Sequence, residues 1–551
     1  MRHGGQILVD QLKAQGVGRV FSVPGESFLP VLDGLFDSGI ENVVCRHEGG
    51  AAMMAEATGK LTGRPGVAFV TRGPGATNAS SGVHVARQDS TPMVLFVGQI
   101  ARAHRDREAF QEVDYRRFFG PLAKWAAEVD TAARLPEYVN RAFHVAASGR
   151  PGPVILALPE DVLAAEVDIP ALAPTAAPEA AVSEGQIDAL LERIGRAKRP
   201  LVVAGGPGWS AQAARDLQTF AEGQGLPVAV SFRRQDYLDN RSPSYAGDLG
   251  VGANPALAAR LRAADCLLVL GSRLSDIATG GYETLEVAAP GKTILHVHPD
   301  PDLPGSVYRC DLAVTARAAD VVARLAQAPK AGDWGNWAAE ARAEYEAWQV
   351  PRETPGAVKM EAVVGWLSEH LPDDAILTNG AGNYAAWLHR YFRFKRFGTQ
   401  VAPTSGSMGY GFPAAVAASL AHPDRTVVCL AGDGCFQMTL NEMSTALQHG
   451  AAPVVIVCNN GRYGTIRMHQ EQTYPGRVSG TDLANPDFAA LARAYGGFGV
   501  VVEDGADFSD AFAAARAAGT AAVVELRCDP GMLSTSMTVS EARAAGERLS
   551  N

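Results

Sequence analysis

The feature that most constrains this chain is Gly432-Asp433-Gly434 followed, along one apolar-helical-apolar stretch, by Asn459-Asn460. The apolar run 426–431 reads as a strand that delivers Asp433, and the run 453–458 as a second strand that delivers the asparagines. Between them Leu440, Met443 and Leu447 recur at helical spacing, and Gly450 with Pro453 supplies a helix stop. This is a βαβ unit, so its two strands are parallel and both acidic and amide side chains emerge at one carboxyl edge, where open α/β sheets bind ligands. A hard cation takes such oxygens. Asp433, the Asn460 amide and the backbone carbonyl of Arg462 form a set that could hold Mg²⁺ against a diphosphate, while Gly432 and Gly434 let the backbone approach. A Gly-Asp-Gly triplet alone marks an ordinary turn; the pairing with Asn459-Asn460 gives it meaning.

The spacing of GDG, helix and NN resembles the thiamin diphosphate motif of the thiamin-dependent enzymes. A second pattern lies near the start. Residues 43–48 read as a short strand ending in the carboxylate of Glu48, followed by Gly49-Gly50, a helix-like 51–57, a strand at 66–70, the loop Gly73-Pro74-Gly75-Ala76-Thr77-Asn78 and a strand at 93–97. This RHEGGAA…GPGATN pattern is similar to the pyrimidine-binding domain of the acetolactate synthase, or acetohydroxyacid synthase, group. The resemblance implies that Glu48 hydrogen-bonds N1′ of the aminopyrimidine, favouring the imino tautomer whose 4′ nitrogen removes the C2 proton of the thiazolium. It also places Pro24, Gly25, Gly75 and Asn78 at the cofactor. A third segment, Ser405-Gly406-Ser407-Met408-Gly409, matches the GxMG element of the same group, where Met408 would support the bent cofactor and Gly406 would bond the pyrimidine. Cys435, directly after GDG, would offer its backbone N–H to the diphosphate, and Asn383 would touch it.

Length and composition fit this organisation. At 551 residues the chain accommodates about three domains. With 47% hydrophobic and 20% charged residues, it has the composition of a packed α/β enzyme. The expected fold is three doubly wound parallel-sheet domains: pyrimidine-binding over 1–168, central Rossmann-like over 183–328 and diphosphate-binding over 357–535. A Pro/Ala-rich stretch at 170–178 and a second connection opening at 328–333 mark the boundaries. A net charge of −10 and no basic cluster argue against a nucleic-acid partner. No run approaches about 18 consecutive apolar residues and the first residues lack a signal-type apolar core, so no membrane association and a cytoplasmic location are expected. The seven cysteines show no metal-ligand spacing and read mostly as buried thiols.

In the central segment, strands are expected at 200–206, 227–231, 266–271 and 293–297, and Gly205-Gly206-Pro207-Gly208 reads as a strand-to-helix turn rather than a dinucleotide fingerprint. The resembling group binds flavin across this domain, but the pattern is partial here. Arg273 remains, Ile277 replaces a second arginine that holds the acceptor keto acid, His298 stands where a flavin-site acid lies, and Gly250-Val251-Gly252-Ala253 replaces a GMHG loop. No tightly bound FAD is expected. His469 replaces a tryptophan that selects 2-oxobutanoate, so strict synthesis of branched-chain precursors is not expected.

Phe110 and Gln111 fit the FQE element lining the substrate channel, with Gln111 also a catalytic candidate. Glu26 occupies a position usually held by a smaller residue. Glu26, with His469, is a candidate proton shuttle, against the plainer reading of a helix-start carboxylate and a surface lid residue. Six residues after Asn460, where 2-oxo acid decarboxylases carry a glutamate, stands Ile466, an apolar neighbour of the cofactor. Simple aldehyde release is therefore disfavoured and carboligation expected. The resemblance implies decarboxylation of a small 2-oxo acid such as pyruvate and transfer to an acceptor, in a homodimer or homotetramer whose active sites lie at the subunit interface. The alternatives are a carbon-carbon lyase or hydrolase on a 2-hydroxyacyl or diketone substrate, and a non-catalytic thiamin diphosphate-binding regulator.

Overall fold

The computed structural model describes residues 1–550. Three six-stranded sheets succeed one another along the chain, and every neighbouring strand pair within them is parallel. In the N-terminal sheet the spatial order is Glu41–Val44, Arg19–Ser22, Gly66–Val70, Met93–Gln99, Pro153–Pro159, Trp125–Glu128. In the C-terminal sheet it is Gln400–Val401, Ile376–Asn379, Val427–Gly432, Val454–Asn459, Ala522–Arg527, Phe498–Val502. Numbered along each domain, both orders are 2-1-3-4-6-5, whereas the central sheet (Pro200–Ala204 to Leu312–Thr315) runs 3-2-1-4-5-6. The first and third domains thus share one topology. Parallel strands covered on both faces become continuous apolar runs, as in Val454–Asn459, where all six residues are buried and the first five are apolar.

Topology also places the crevices. In a 2-1-3 order the winding of successive strands across the sheet reverses between the first and third strands, so the loops that follow them diverge and leave a cleft. In the C-terminal domain these loops start at Gly380 and Asp433. In the N-terminal domain they are 23–26 and 71–75, which carry Glu26 and Gly73-Pro74-Gly75.

The outer domains pack directly on each other. The helix Glu48–Thr62 carries Gly49, Gly50, Ala51, Ala52 and Ala55 on a buried surface, and the helix Gly411–Ala421 answers with Ala414, Ala415, Ala417 and Ala418, so the two backbones approach closely within one apolar core. A polar knot closes the junction to the central domain. Asp89 is fully enclosed, and burial pushes its carboxyl up, but Lys60 at 3.5 Å and Arg234 at 2.9 Å outweigh this and leave it below the usual carboxylate range.

Several local expectations need correction. Glu48 does not end a strand: the strand stops at Val44 and Glu48 is the first residue of a helix. The segment after GDG is not one helix but a short helix Asp433–Gln437, a 3₁₀ turn Leu440–Glu442 and a helix Met443–Gln448. The connection after 328 contains the helix Trp337–Trp348, held to the central domain by Arg260 paired with Glu344 at 2.7 Å and by the Trp337 indole donating to the Pro200 carbonyl at 2.8 Å. Beyond 535 the helix Val539–Ser550 docks on the helix Gly464–Thr473 through Arg543 and Glu471, 2.7 Å apart.

Candidate active site

A cavity of about 280 Å³ opens at the carboxyl edge of the C-terminal sheet. Asn383, Gly406, Met408, Gly432, Asp433, Gly434, Cys435, Asn460, Arg462 and Ile466 all line it, so one site gathers every diphosphate, metal and pyrimidine-support residue expected from this half of the chain. Asp433 is delivered by the strand Val427–Gly432 and begins the next helix, so its carboxylate sits among free peptide N–H groups. Its Oδ1 accepts from Gly434 N at 2.8 Å, and its Oδ2 from Gly461 N at 2.8 Å and the Asn485 amide at 2.7 Å. Burial raises this carboxyl group above its ordinary range, opposed by those hydrogen bonds. Asn459 does not face the cavity as a partner of Asn460. Its amide donates to Glu525 at 2.6 Å and its carbonyl oxygen accepts from Asn485 at 2.9 Å, so it braces the Asp433 support from behind.

The glycines are there for space. A Cβ on Gly432 would come within 2.8 Å of the Tyr384 ring, and one on Gly434 within 2.4 Å of the Tyr463 ring. A Cβ on Gly380 would lie 2.5 Å from the Cys435 sulfur. The Cys435 thiol sulfur accepts from the Tyr384 hydroxyl at 3.2 Å and from Gly409 N at 3.2 Å, and the residue lies in the first turn of the helix Asp433–Gln437 and lines the cavity. The donor set suits a phosphate-bound hard cation: one carboxylate, one amide oxygen and a backbone carbonyl, with no cluster of three His, Cys, Asp or Glu ligands among the described residues. The backbone cradle at Gly432–Cys435 is open to an anion at a helix start.

Asn383 is tied down by its surroundings. Its side-chain oxygen accepts from Thr465 at 3.0 Å and its amide donates to the Leu533 carbonyl at 2.8 Å, so it shapes the wall of the cavity with its hydrogen bonds already used. Ile466 lies in the first turn of the helix Gly464–Thr473, 53% exposed at the cavity mouth, and His469 is exposed one turn further on.

The N-terminal residues form a separate group. Within one chain none of Pro24, Gly25, Glu26, Glu48, Gly75, Asn78, Phe110 or Gln111 lines the C-terminal cavity. They cluster instead at the crevice of their own sheet. Glu48 accepts from the Asn78 amide at 3.0 Å, and a Cβ on Gly75 would crowd Glu48 Oε1 at 3.2 Å. Gln111, at φ +65°, packs over Gly73, and its buried Oε1 has no partner among the described residues; Phe110 is 75% exposed. Gly25 lies against Thr71, whose hydroxyl meets Ser27 at 2.8 Å.

Sequence reading missed several participants. Arg72, largely buried, bridges Glu26 and Glu160 at 3.3 Å each. Arg233, at φ +59°, crosses from the central domain to donate to the Gly380 carbonyl at 2.8 Å and to the Pro403 carbonyl, tying together two loops that flank the cavity. Asn485 and Glu442 were also passed over. Asn485 stands in a segment without a recognisable pattern, and Glu442 is a polar position within the helically spaced run Leu440, Met443 and Leu447; only the buried acid already assigned at Asp433 could have suggested that an amide would be needed to satisfy it.

A glycine-lined, acid-bearing cavity on one α/β domain, with a carboxylate-bearing crevice on a second domain of the same topology, is the arrangement expected of a thiamin diphosphate-binding enzyme. Comparison with known families agrees across the chain: residues 2–118 match the thiamine pyrophosphate enzyme N-terminal TPP binding domain, 187–325 the central domain and 380–526 the C-terminal TPP binding domain. The acetolactate synthase isozyme 2 large subunit of Escherichia coli (strain K12) is 33% identical over 497 residues, covering 90% of each chain. The acetolactate synthase large subunit of Corynebacterium glutamicum is 33% identical over 520 residues, 90% of this chain and 81% of that one, and the acetolactate synthase of Mycobacterium bovis is 32% identical over 545 residues, 95% and 87% of the two chains. The chain belongs to the thiamin diphosphate enzyme family of the acetolactate synthase large subunits.

Proposed function

We propose that this enzyme decarboxylates a small, pyruvate-like 2-oxo acid and joins the remaining fragment to an acceptor carbonyl, as an acetolactate synthase-like carboligase. The observation that carries this reading is the cavity in which Asp433, Gly434, Asn460, Met408 and Ile466 come together, together with relatives named acetolactate synthase over nine-tenths of the chain. Thiamin diphosphate, when bound, supplies a nucleophilic carbon that adds to the oxo group and accepts the electrons released with CO₂. Asp433, Asn460 and the Arg462 carbonyl are the proposed Mg²⁺ ligands, and the peptide N–H groups from Gly434 and Cys435 hold the diphosphate. Glu48 is proposed to engage the aminopyrimidine N1′. Since the C-terminal cavity contains no N-terminal residue, this needs a second chain, so the proposed working unit is a homodimer or homotetramer with sites at the interface. Ile466 keeps the cavity mouth apolar and withholds a proton donor, which favours attack on a second carbonyl over release of an aldehyde. Phe110 and Gln111 meet the substrate, and Glu26, with His469, handles protons on the reacting species.

We propose that FAD is not held by the central domain. His298, where an acid would face the flavin, is fully buried; its Nδ1 accepts from Asp300 N at 3.0 Å and its Nε2 has no partner among the described residues, so no carboxylate stands at that position. No described helix is long and apolar enough to cross a membrane, and with the acidic balance this supports a cytoplasmic enzyme without a nucleic-acid partner.

The test is CO₂ release from pyruvate with thiamin diphosphate and Mg²⁺, measured beside Glu48→Gln, with identification of the product. Release that depends on Glu48, with a carboligated product, is expected. A folded, cofactor-loaded protein that releases no CO₂ would overturn the proposed donor.

A further inference from the structure

The carboxylate of Glu442 leaves its own domain. It closes the 3₁₀ turn Leu440–Glu442, shortly after the Asp433–Gln437 helix, and is 0% exposed. Its Oε1 accepts from His47 N at 3.0 Å and Arg46 N at 3.3 Å, and its Oε2 accepts from Arg46 N at 3.2 Å. Thr445 donates to Oε2 at 2.6 Å and Asn441 to Oε1 at 3.3 Å, so the group is held from both sides of the domain boundary. Arg46 and His47 are the two residues that lead into the helix beginning at Glu48. The His47 ring then caps Gly49 N at 3.0 Å, and the His449 ring accepts Val44 N at 2.9 Å. A Cβ on Gly50 would come within 2.4 Å of Glu442 Oε1, so the glycine in that place leaves room for this carboxylate.

Burying a carboxylate costs several kcal/mol unless its hydrogen bonds are well made. Two small-residue helices packing together do not need one; the alanine faces of Glu48–Thr62 and Gly411–Ala421 already supply the contact. What the buried acid adds is direction. It fixes the peptide planes of residues 46 and 47, and with them the angle at which the first side chain of the helix projects. The other end of the connection is equally fixed: Thr439 donates to the Gly409 carbonyl at 2.7 Å, and Gly409 N donates to the Cys435 sulfur at 3.2 Å, so the turn that carries Glu442 is one body with the Met408 and Asp433 loops.

We infer that Glu442 is a positioning residue for Glu48, anchoring the start of the Glu48 helix to the element of the same chain that carries Asp433. The inference rests on the reading of Glu48 as the carboxylate that serves the aminopyrimidine. It makes the aim of that carboxylate depend on the C-terminal domain of its own chain, whichever chain's cofactor it serves.

The test is exchange of the C2 proton of bound thiamin diphosphate with solvent deuterium, at saturating cofactor and Mg²⁺, with the cofactor dissociation constant measured in parallel. Misplacing a group by about 1 Å can cost on the order of 100-fold, so Glu442→Ala is expected to slow exchange by about 10- to 100-fold while cofactor affinity stays within about twofold. Glu442→Gln, which keeps an acceptor for His47 N, is expected to restore most of the rate. Gly50→Ala displaces the carboxylate without removing it and should slow exchange in the same way, which keeps the test available if Glu442→Ala does not fold. Unchanged exchange in the Glu442 and Gly50 variants, with exchange lost in Glu48→Gln, overturns the inference. Parallel loss of affinity and exchange also overturns it, because that marks a structural role. Unchanged exchange in Glu48→Gln overturns the reading of Glu48 instead.

Discussion

The Asn485 amide donates at 2.7 Å to Asp433 Oδ2, across 52 positions of sequence, and at 2.9 Å to the side-chain oxygen of Asn459. One amide thereby orients the proposed metal-binding carboxylate and couples it to Asn459, which Glu525 secures in turn at 2.6 Å.

Residues that orient a ligand are worth nearly as much to a metal site as the ligand itself, typically 10- to 100-fold in affinity. Asn485→Ala should therefore weaken binding of thiamin diphosphate at fixed Mg²⁺ by about that factor, with kcat recovering when both are saturating. Titration of the cofactor by fluorescence or calorimetry checks this; affinity equal to that of the parent enzyme would remove Asn485 from the site.

Glu26 and Glu48 can be separated by experiment. Glu26 begins the 3₁₀ turn Glu26–Phe28 with a side chain 67% exposed, and among the described residues its one ionic partner within reach is Arg72 at 3.3 Å. Glu26→Gln should lower turnover by about 10- to 100-fold if the group moves a proton on the reacting species, while cofactor C2 exchange, which depends on Glu48, continues at the parent rate. Arg72→Met should reproduce part of the Glu26→Gln loss and Arg72→Lys should recover it. Turnover at the parent rate in Glu26→Gln would leave the residue as a plain helix-start carboxylate.

Much of this arrangement could be read from the sequence because it is local. The strand runs at 66–70, 427–431 and 454–458 are apolar throughout, since parallel strands are covered on both faces, and the glycines of GDG and GPG mark the turns where a Cβ would collide. Glu442, Asn485 and Arg233 carry no such signature. Each is defined by a partner far along the chain, and no local pattern encodes which loop a lone glutamate or asparagine will meet. The same holds for the two helices outside the expected domains: Val539–Ser550 is tied to Glu471 by Arg543 rather than by a long apolar stripe, and Trp337–Trp348 joins the central core through Tyr345 and Trp337. The strand stops at Val44 rather than running to Glu48 because the backbone beyond it turns to bring Arg46 N to the Glu442 carboxylate, a partner that local sequence does not encode.

Buried neutral histidines make one contribution to this fold's stability acid-sensitive. Burial, then His296 and Arg150, push His298 down to about 3, and burial followed by Arg233 pushes His389 down to about 3. An unfolded histidine titrates near its ordinary value of about 6.5. Between that pH and about 3 the unfolded chain binds more protons than the folded one, so stability is fully present above pH 6.5 and is lost as pH falls, by about 1.4 kcal/mol per pH unit for each such group. Asp248, whose carboxyl burial raises to about 7, works in the opposite sense over the same range, so the check is a difference between proteins: His298→Asn, whose side-chain oxygen can still accept from Asp300 N, should make the transition temperature less sensitive to acid below pH 6.5 than that of the parent. An unchanged slope in that variant would show that His298 already gains its proton in the folded state.

Ile466 offers the sharpest test of carboligation over aldehyde release. It stands in the first turn of the helix Gly464–Thr473 and lines the cavity mouth that Asp433 and Met408 also border. An apolar side chain there offers no proton to the carbon that has just lost CO₂, so a second carbonyl can compete with water for it. Placing a carboxyl group at this position supplies a general acid at the cavity mouth, an effect worth about 100- to 10,000-fold where the geometry is right and less where it is not. Ile466→Glu should accordingly move the product ratio from the carboligated acid toward acetaldehyde when pyruvate is the substrate, with CO₂ release retained. Because 53% of Ile466 is already exposed, the substitution buries no new charge and should leave folding intact. Product analysis by chromatography on both proteins decides it: an unchanged ratio would mean that protonation is governed from the N-terminal crevice, where Glu26 and Gln111 lie, rather than from the Ile466 side.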